Sequence, residues 1–219
     1  MIEPQFMPVA FDVETAEVGG DSVVTVSGFS HAFGESLVLN TAGRENVDWG
    51  RLLYKLENYS GEEVELNIVT TERELLELVA SYVNRQIDAD RDYLTTFNGK
   101  SWNDPFDIPF CGTRFHSHDM AWPFNDLAYA DLKELINPLD TNEYSNLDSA
   151  CDVFIPNGLS DPFDDSEAAV TAFEDGEWLP LLKHNLATIK RSGKLARIAS
   201  RHWNSDFALE HLQPPRQDL

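Results

Sequence analysis

The first forty residues alternate between apolar and polar positions in three short stretches, and this period predicts three β-strands. The three predicted strands are Phe6 to Val13, Ser22 to Phe29 and Glu35 to Asn40. The connections are short, and the run Gly19-Gly20-Asp21 favours a turn. Because strands joined by short loops pair antiparallel, we predict an antiparallel meander at the start of the chain.

Helical and strand patterns follow one another in the middle of the chain. Thr71 and Glu74 form a capping-box pattern that begins a clearly amphipathic helix. The predicted helices here are Val47 to Leu56, the one beginning at Thr71, Phe106 to His118 and Asp131 to Ile136. The predicted strands are Tyr93 to Asn98 and Asn125 to Tyr129, with Val64 to Val69 as an edge strand or extended segment. A helix between strands indicates a parallel crossover, so we predict an α/β fold with a mixed sheet of five core strands.

The C-terminal third is polar at first and then helical. Residues Asp140 to Pro162 predict loop with short helical turns. From Asp164 to about Arg201 we predict three helices, with Gly176 and Gly193 marking the breaks. At 219 residues the chain suits one domain, which we place at residues 1–205, followed by a flexible tail at 206–219.

The charge balance is strongly acidic, with 38 acidic residues against 16 basic ones and a net charge of −22. Such a surface repels nucleic acid, whose binding relies on basic patches. One explanation is that the protein does not bind polyanions. The other, which we favour, is adaptation to high salt, because a lysine-poor, acid-rich globular chain resembles proteins of halophilic archaea.

The remaining composition predicts a cytoplasmic protein without a membrane segment or an organic cofactor. Hydrophobic residues make up 42% of the chain, which favours a folded globule. No apolar run is long enough to span a bilayer, and no signal pattern opens the chain. Cys111 and Cys151 fit no metal-binding spacing, and a disulfide between them is not expected in that compartment.

Two acidic residues stand one residue apart where the first strand should end. Side chains alternate along a strand, so Asp12 and Glu14 point to the same side of the sheet, about 6–7 Å apart. Their mutual repulsion and lost hydration are relieved by a divalent cation such as Mg²⁺ or Mn²⁺. The alternative interpretation is a solvated strand end followed by a turn.

The sequence around these acids resembles a known catalytic motif. Phe11-Asp12-Val13-Glu14-Thr15 resembles the first exonuclease motif of the DEDD family of 3′–5′ exonucleases, which have the RNase H-like fold. Asn98-Gly99 followed by Phe106-Asp107-Ile108-Pro109-Phe110 resembles the second motif, in the branch similar to B-family polymerase proofreading domains. The resemblance implies that Asp107 helps to bind a metal; the alternatives are that Asp107 is only a helix cap, or that Asp104 takes this role.

The third motif of the family is incomplete in this chain. The stretch from Leu181 to Ser192 resembles the last helix of the family, in which a Tyr or His precedes a metal-binding Asp by about one turn. His184 fits this pattern, but position 188 is Thr, whose hydroxyl is a poor magnesium ligand. Asp164, Asp165 or Asp175 are the candidates to replace the missing carboxylate.

The resemblance as a whole implies an RNase H-like domain whose first three strands are antiparallel, with metal-dependent 3′–5′ exonuclease activity on the 3′ end of DNA or RNA. It implies that Asp12, Glu14 and Asp107 hold one or two Mg²⁺ or Mn²⁺ ions and that His184 positions or deprotonates the attacking water. Asn98 and Arg114 would contact the substrate. The alternative is an RNase H-like nucleic-acid-binding or interaction module that has lost catalysis through Thr188.

Basic residues concentrate near His184. The six are Lys183, Lys190, Arg191, Lys194, Arg197 and Arg201. Four of these fall on one helical stripe, which suits a track for the phosphate backbone. The equal alternative is a stripe that pairs with acidic residues of the protein itself.

Overall fold

The computed structural model describes residues 6–16, 22–99, 106–139, 144–156, 158–163, 166–202 and 210–212. They form an α/β fold, as predicted, with a mixed sheet flanked by helices. The strands are β1 (Met7–Thr15), β2 (Val24–His31), β3 (Gly34–Asn40), β4 (Val64–Val69), β5 (Asp92–Thr95), β6 (Ala128–Tyr129) and β7 (Glu210–His211). The helices are α1 (Trp49–Ser60), α2 (Glu72–Gln86), α3 (Asp107–Ser117), α4 (Leu132–Ile136), α5 (Leu147–Phe154), α6 (Ser166–Asp175) and α7 (Trp178–Arg201), with a 3-10 turn at Asn137–Leu139.

The chain forms two compact units, and each has its own core. The first unit comprises residues 1–10, 80–158 and 191–219, and the second comprises residues 11–79 and 159–190. The prediction of one domain at residues 1–205 and a tail at 206–219 stays a prediction, although β7 lies within the stretch assigned to the tail.

In the second unit the strands follow the order β4–β3–β2–β1. β2 and β3 pair antiparallel, from Val26 opposite Leu39 to His31 opposite Gly34, and β4 joins β3 in parallel. The strands β2 and β3 are buried almost throughout, because α1 and the N-terminal half of α7 cover them with apolar side chains. The core is built from residues such as Leu37, Leu56 and Leu182, each with no exposed surface.

In the first unit the order is β1–β5–β6–β7, with β5 parallel to both β1 and β6. Its core gathers Tyr93 of β5, Leu132 of α4 and Leu195 of α7, all fully buried. Among the described residues no helix is long and apolar enough to cross a membrane.

Three sequence predictions need correction. The described residues contain more strands than five, because Val64–Val69 forms the edge strand that is one of its two predicted states and Glu210–His211 adds a short strand. The region from Asp140 to Pro162 contains an eight-residue helix, α5, begun by the Asn146 side chain, which accepts from the Ser149 amide. Asp164 to Arg201 does not form three helices, because α7 passes through Gly193 without a break.

The local start and stop signals of two helices are confirmed. The Glu74 carboxylate accepts from the Thr71 amide at 3.0 Å while the Glu74 amide donates to the Thr71 hydroxyl. Backbone and hydroxyl donors of Thr70 and Thr71 lower the pKa of Glu74. Gly176 ends α6 with a φ of +71°, a conformation that L side chains rarely adopt.

Candidate active site

Strand β1 presents Asp12 and Glu14 on one face, as its period of two requires. Phe11 and Val13 point the other way and are buried; the Phe11 ring packs on Phe29 with ring centroids 4.8 Å apart. Glu14 is only 8% exposed. The strand continues to Thr15, so both acids lie within its last residues rather than beyond its end.

One side chain of α7, Asn185, joins the two carboxylates. Its amide nitrogen Nδ2 lies 2.7 Å from Asp12 Oδ2, 3.4 Å from Glu14 Oε1 and 3.4 Å from the main-chain oxygen of Asp12. Asn185 has no exposed surface. The position is possible because Gly28 of β2 has no side chain, since a Cβ there would lie 2.1 Å from Asn185 Oδ1.

His184 precedes Asn185 and lies between two carboxylates. Its Nδ1 is 2.6 Å from Asp161 Oδ1, and its Nε2 is 3.6 Å from Glu14 Oε1. The Phe163 ring packs beside the imidazole with centroids 5.3 Å apart, and the Phe163 amide donates to Asp161 Oδ1 at 3.0 Å. The contact with Asp161 fixes the orientation of the imidazole ring and turns Nε2 toward Glu14.

Asp107 lies in the first turn of α3, as predicted, and is 7% exposed. It belongs to the first unit, where its Oδ2 comes within 3.0 Å of the place a Cβ on Gly99 would occupy. Burial raises the pKa of the Tyr129 hydroxyl, with the Asp131 and Asp107 carboxylates adding to the effect, so this hydroxyl stays protonated. Asp12 and Glu14 belong to the second unit, and their convergence with Asp107 on one ion stays a prediction.

Two residues predicted to contact the substrate, Asn98 and Arg114, belong to the first unit. Asn98 follows β5 with a φ of +60°, and its amide donates to Asp131 Oδ1 at 3.0 Å. The Asp131 side chain also caps α4, the helix predicted to begin there. Arg114 is half-buried on α3. Asp104, Asp164 and Asp165 lie outside the described residues, and Asp175 is exposed at the end of α6.

Among the basic residues near His184, some form ion pairs within the protein and others are at least partly exposed. Lys190 Nζ lies 2.5 Å from Glu62 and 3.7 Å from Glu35, and Arg191 pairs with Asp148 at 2.5 Å. Both side chains are less than a tenth exposed. Lys183 Nζ lies 4.7 Å from the centre of the Tyr59 ring, while Lys194 is exposed. For Lys190 and Arg191, pairing within the protein is the arrangement observed; nucleic-acid contact by any of the four stays a prediction.

Two residues of this site escaped sequence reasoning. Asp161 lies in a polar loop, and nothing local distinguishes it from Asp164 or Asp165. Asn185 did leave a signal, because it falls among Leu181, Leu182 and Leu186 on the apolar face of α7, and a buried amide requires partners. Thr188 is half-buried one turn after His184.

The oxygen atoms around Asp12 and Glu14 suit a hard cation in chemical type, since they are carboxylate and main-chain carbonyl oxygens. The amide group of Asn185 presents its nitrogen to them. Within the ranges that the structure describes, no three His, Cys, Asp or Glu side chains are grouped so as to hold a metal ion.

Comparison with protein-family models gives no match, and none of the curated proteins matches the chain.

Proposed function

We propose that the protein is a metal-dependent 3′–5′ exonuclease that hydrolyses the terminal phosphodiester bond of DNA or RNA. The observation that carries the proposal is the grouping of two strand carboxylates, Asp12 and Glu14, with a histidine that is itself held by Asp161. A bound Mg²⁺ or Mn²⁺, one ion or two, would supply Lewis acidity at the scissile phosphate.

The proposed RNase H-like fold is supported by the strand arrangement of each unit. The second unit holds the adjacent strands β1, β2 and β3, and the first unit joins β5 and β6 to β1 in parallel. The motif acids Asp12 and Glu14 lie on β1. Antiparallel first strands and parallel later strands are features that the resemblance implies, and they support the proposed fold.

Acid–base chemistry would fall to His184. With Nδ1–H donated to Asp161, Nε2 is the proton acceptor, and the two flanking carboxylates stabilise the charge that the ring gains. A water oxygen would bond to phosphorus as the P–O3′ bond breaks. The water proton would pass to Nε2, and the leaving 3′ oxygen would take up a proton from solvent water.

The other predicted site residues are assigned roles as metal ligands, nucleic-acid contacts or structural ion pairs. Asp12 and Glu14 would hold the ion through their oxygens, and Asp107 would contribute a further carboxylate, as the resemblance implies. Asn98, Arg114, Lys183 and Lys194 are proposed to contact the nucleic acid. Lys190 and Arg191 are better explained as structural ion pairs, given their burial.

A second candidate is the nucleic-acid-binding module without catalysis, and Thr188 favours it. The half-buried hydroxyl offers neither the charge nor the strong ligand that the third motif of the family has at this position. Under this alternative the chain binds a 3′ end but does not shorten it.

The deciding experiment uses single-stranded DNA and RNA labelled at the 5′ end, with Mn²⁺ or Mg²⁺, at low and at molar salt. We expect the protein to shorten the labelled strand from its 3′ end in a metal-dependent reaction. This activity should be lost in Asp12→Asn and His184→Ala and reduced in Asp161→Asn. Asp107→Asn tests the carboxylate of the first unit, and Asn84→Asp on the exposed face of α2 is the matched control. Binding without shortening in the unmodified protein supports the second candidate, as does a rate gained only in Thr188→Asp.

A further inference from the structure

The amide nitrogen of Asn185 lies within hydrogen-bond distance of three oxygen atoms. Asp12 Oδ2, Glu14 Oε1 and the main-chain oxygen of Asp12 are 2.7–3.4 Å from Nδ2. Hard cations bind the same oxygen types at about 2.0–2.6 Å. Ligands at right angles around such an ion lie about 2.8–3.7 Å apart, so an ion beside the amide group could contact these oxygens. Without an ion, the N–H groups of Asn185 donate to them.

The other end of the same amide is unsatisfied. Asn185 Oδ1 is buried and has no hydrogen-bond partner among the described residues. It lies against the backbone of Gly28, where even a methyl group would not fit. A fully buried acceptor without a partner is unfavourable and requires an explanation such as an ion or a second conformation.

Rotation of the amide accounts for both observations. The amide oxygen and nitrogen have nearly the same size, so a half-turn about χ2 exchanges them with little change in the space filled beside Gly28. With no cation, the carboxylates require a donor and attract Nδ2. With a cation between them, the sign of the charge reverses and an acceptor is favoured.

We propose that Asn185 is a ligand of the divalent cation, with Oδ1 turned toward Asp12 and Glu14 when the ion binds. The inference rests on the proposed function, because it concerns the same ion. It supplies a neutral oxygen ligand to a chain whose third motif lacks the carboxylate at Thr188. The competing explanation is that Asn185 holds the two carboxylates together and excludes the ion. In that case removal of the Asn185 side chain would tighten cation binding.

The test measures Mn²⁺ binding by the full chain from the EPR signal of the Mn²⁺ that remains free. The solution contains 0.5 M KCl (about the salt needed to screen surface charge). Unmodified protein is compared with Asn185→Ala, Asn185→Asp, Asp12→Asn and the control Asn84→Asp. We expect Asn185→Ala to weaken binding by about tenfold or more and Asn185→Asp to tighten it by a similar factor. The control should bind like the unmodified protein.

The outcomes separate this inference from the proposed function. Binding that is lost in Asp12→Asn but equal or tighter in Asn185→Ala overturns the inference and leaves the proposed function standing. Binding that Asp12→Asn does not affect overturns both. If Asn185→Ala does not fold, Asn185→Asp decides, because failure to tighten binding contradicts a ligand role.

A second readout needs no variant. The side-chain ¹⁵N–¹H resonances of Asn185 report the hydrogen bonds of Nδ2 to the carboxylates. Saturating Mg²⁺ should abolish these hydrogen bonds and shift both resonances, whereas resonances that stay in place when Mg²⁺ is bound contradict the rotation.

Discussion

Gly28→Ala tests how the candidate site is held together. Gly28 lies in the buried strand β2, directly beneath Asn185 and Ile189 of α7. A Cβ at this position would lie 2.1 Å from Asn185 Oδ1 and 3.1 Å from two carbons of Ile189. The amide therefore has to leave its place or the helix has to move away from the strand.

The expected loss of stability follows from these two consequences. Overpacking of a closed core costs about 1–3 kcal/mol. Displacing Asn185 also removes its 2.7 Å hydrogen bond to the Asp12 carboxylate, and a hydrogen bond to a charged group contributes about 1.5–3 kcal/mol. Because neighbouring effects are not additive, we expect a decrease of about 3–5 kcal/mol in the free energy of unfolding.

Urea unfolding followed by circular dichroism measures this quantity, with Gly50→Ala as the control. Gly50 is exposed near the start of α1, and a Cβ there meets nothing nearer than 3.9 Å. Alanine should be neutral or stabilise the helix by about 0.5 kcal/mol.

A double-mutant cycle then isolates the contact itself. When Asn185→Ala is combined with Gly28→Ala, the methyl group introduced on β2 no longer clashes with an amide. The double variant should therefore be more stable than the sum of the single changes by over about 1 kcal/mol. A Gly28→Ala protein within about 0.5 kcal/mol of the unmodified one, or strictly additive changes, would refute the packing of Asn185 described above.

Two further predictions concern buried ionisable groups. Lys190→Met removes the cation held by Glu62, Glu35 and Ser60, and it should lower the free energy of unfolding by about 3 kcal/mol. The control Lys194→Met changes an exposed lysine and should alter the free energy of unfolding by less than about 0.5 kcal/mol. Equal effects of the two substitutions would contradict a structural role for Lys190. Burial raises the pKa of Cys151 from 9.0 to about 12, with Asp148 and Asp152 adding to the rise and Arg191 opposing it. Iodoacetamide at pH 8 should therefore alkylate Cys151 far more slowly in the native protein than in the protein unfolded by urea. Because the pKa of Cys151 is higher in the folded protein than in the unfolded one, the thiol favours folding below pH 9.0, and that contribution is lost as the pH rises toward about 12. Cys151→Ala should therefore weaken the pH dependence of stability over this range. An unchanged dependence would contradict the raised pKa of Cys151.

Local patterns predicted the elements that carry the site. The period of two places Asp12 and Glu14 on one face of β1, and the helix signals place Asp107 at the start of α3 and His184 on α7. These features depend on a few neighbouring residues, and for that reason the sequence contains enough information to predict them.

Features that depend on distant partners could not be predicted. Asp161 meets His184 only because the loop before α6 folds back on α7, a contact across 23 positions. Periodicity places Lys190 on a stripe but does not reveal that Glu62, 128 residues away, pairs with it. Gly193 lowers helix propensity by about 1 kcal/mol relative to alanine, yet the buried neighbours Leu195 and Ala196 hold α7 continuous.

The most direct test of the central claim is a crystal structure of the protein grown with Mn²⁺, with anomalous diffraction recorded to locate the ion. We expect an anomalous peak about 2.0–2.3 Å from carboxylate oxygens of both Asp12 and Glu14, with His184 still held by Asp161. Anomalous peaks confined to other acidic surfaces, with Asn185 still donating to both carboxylates, would contradict it.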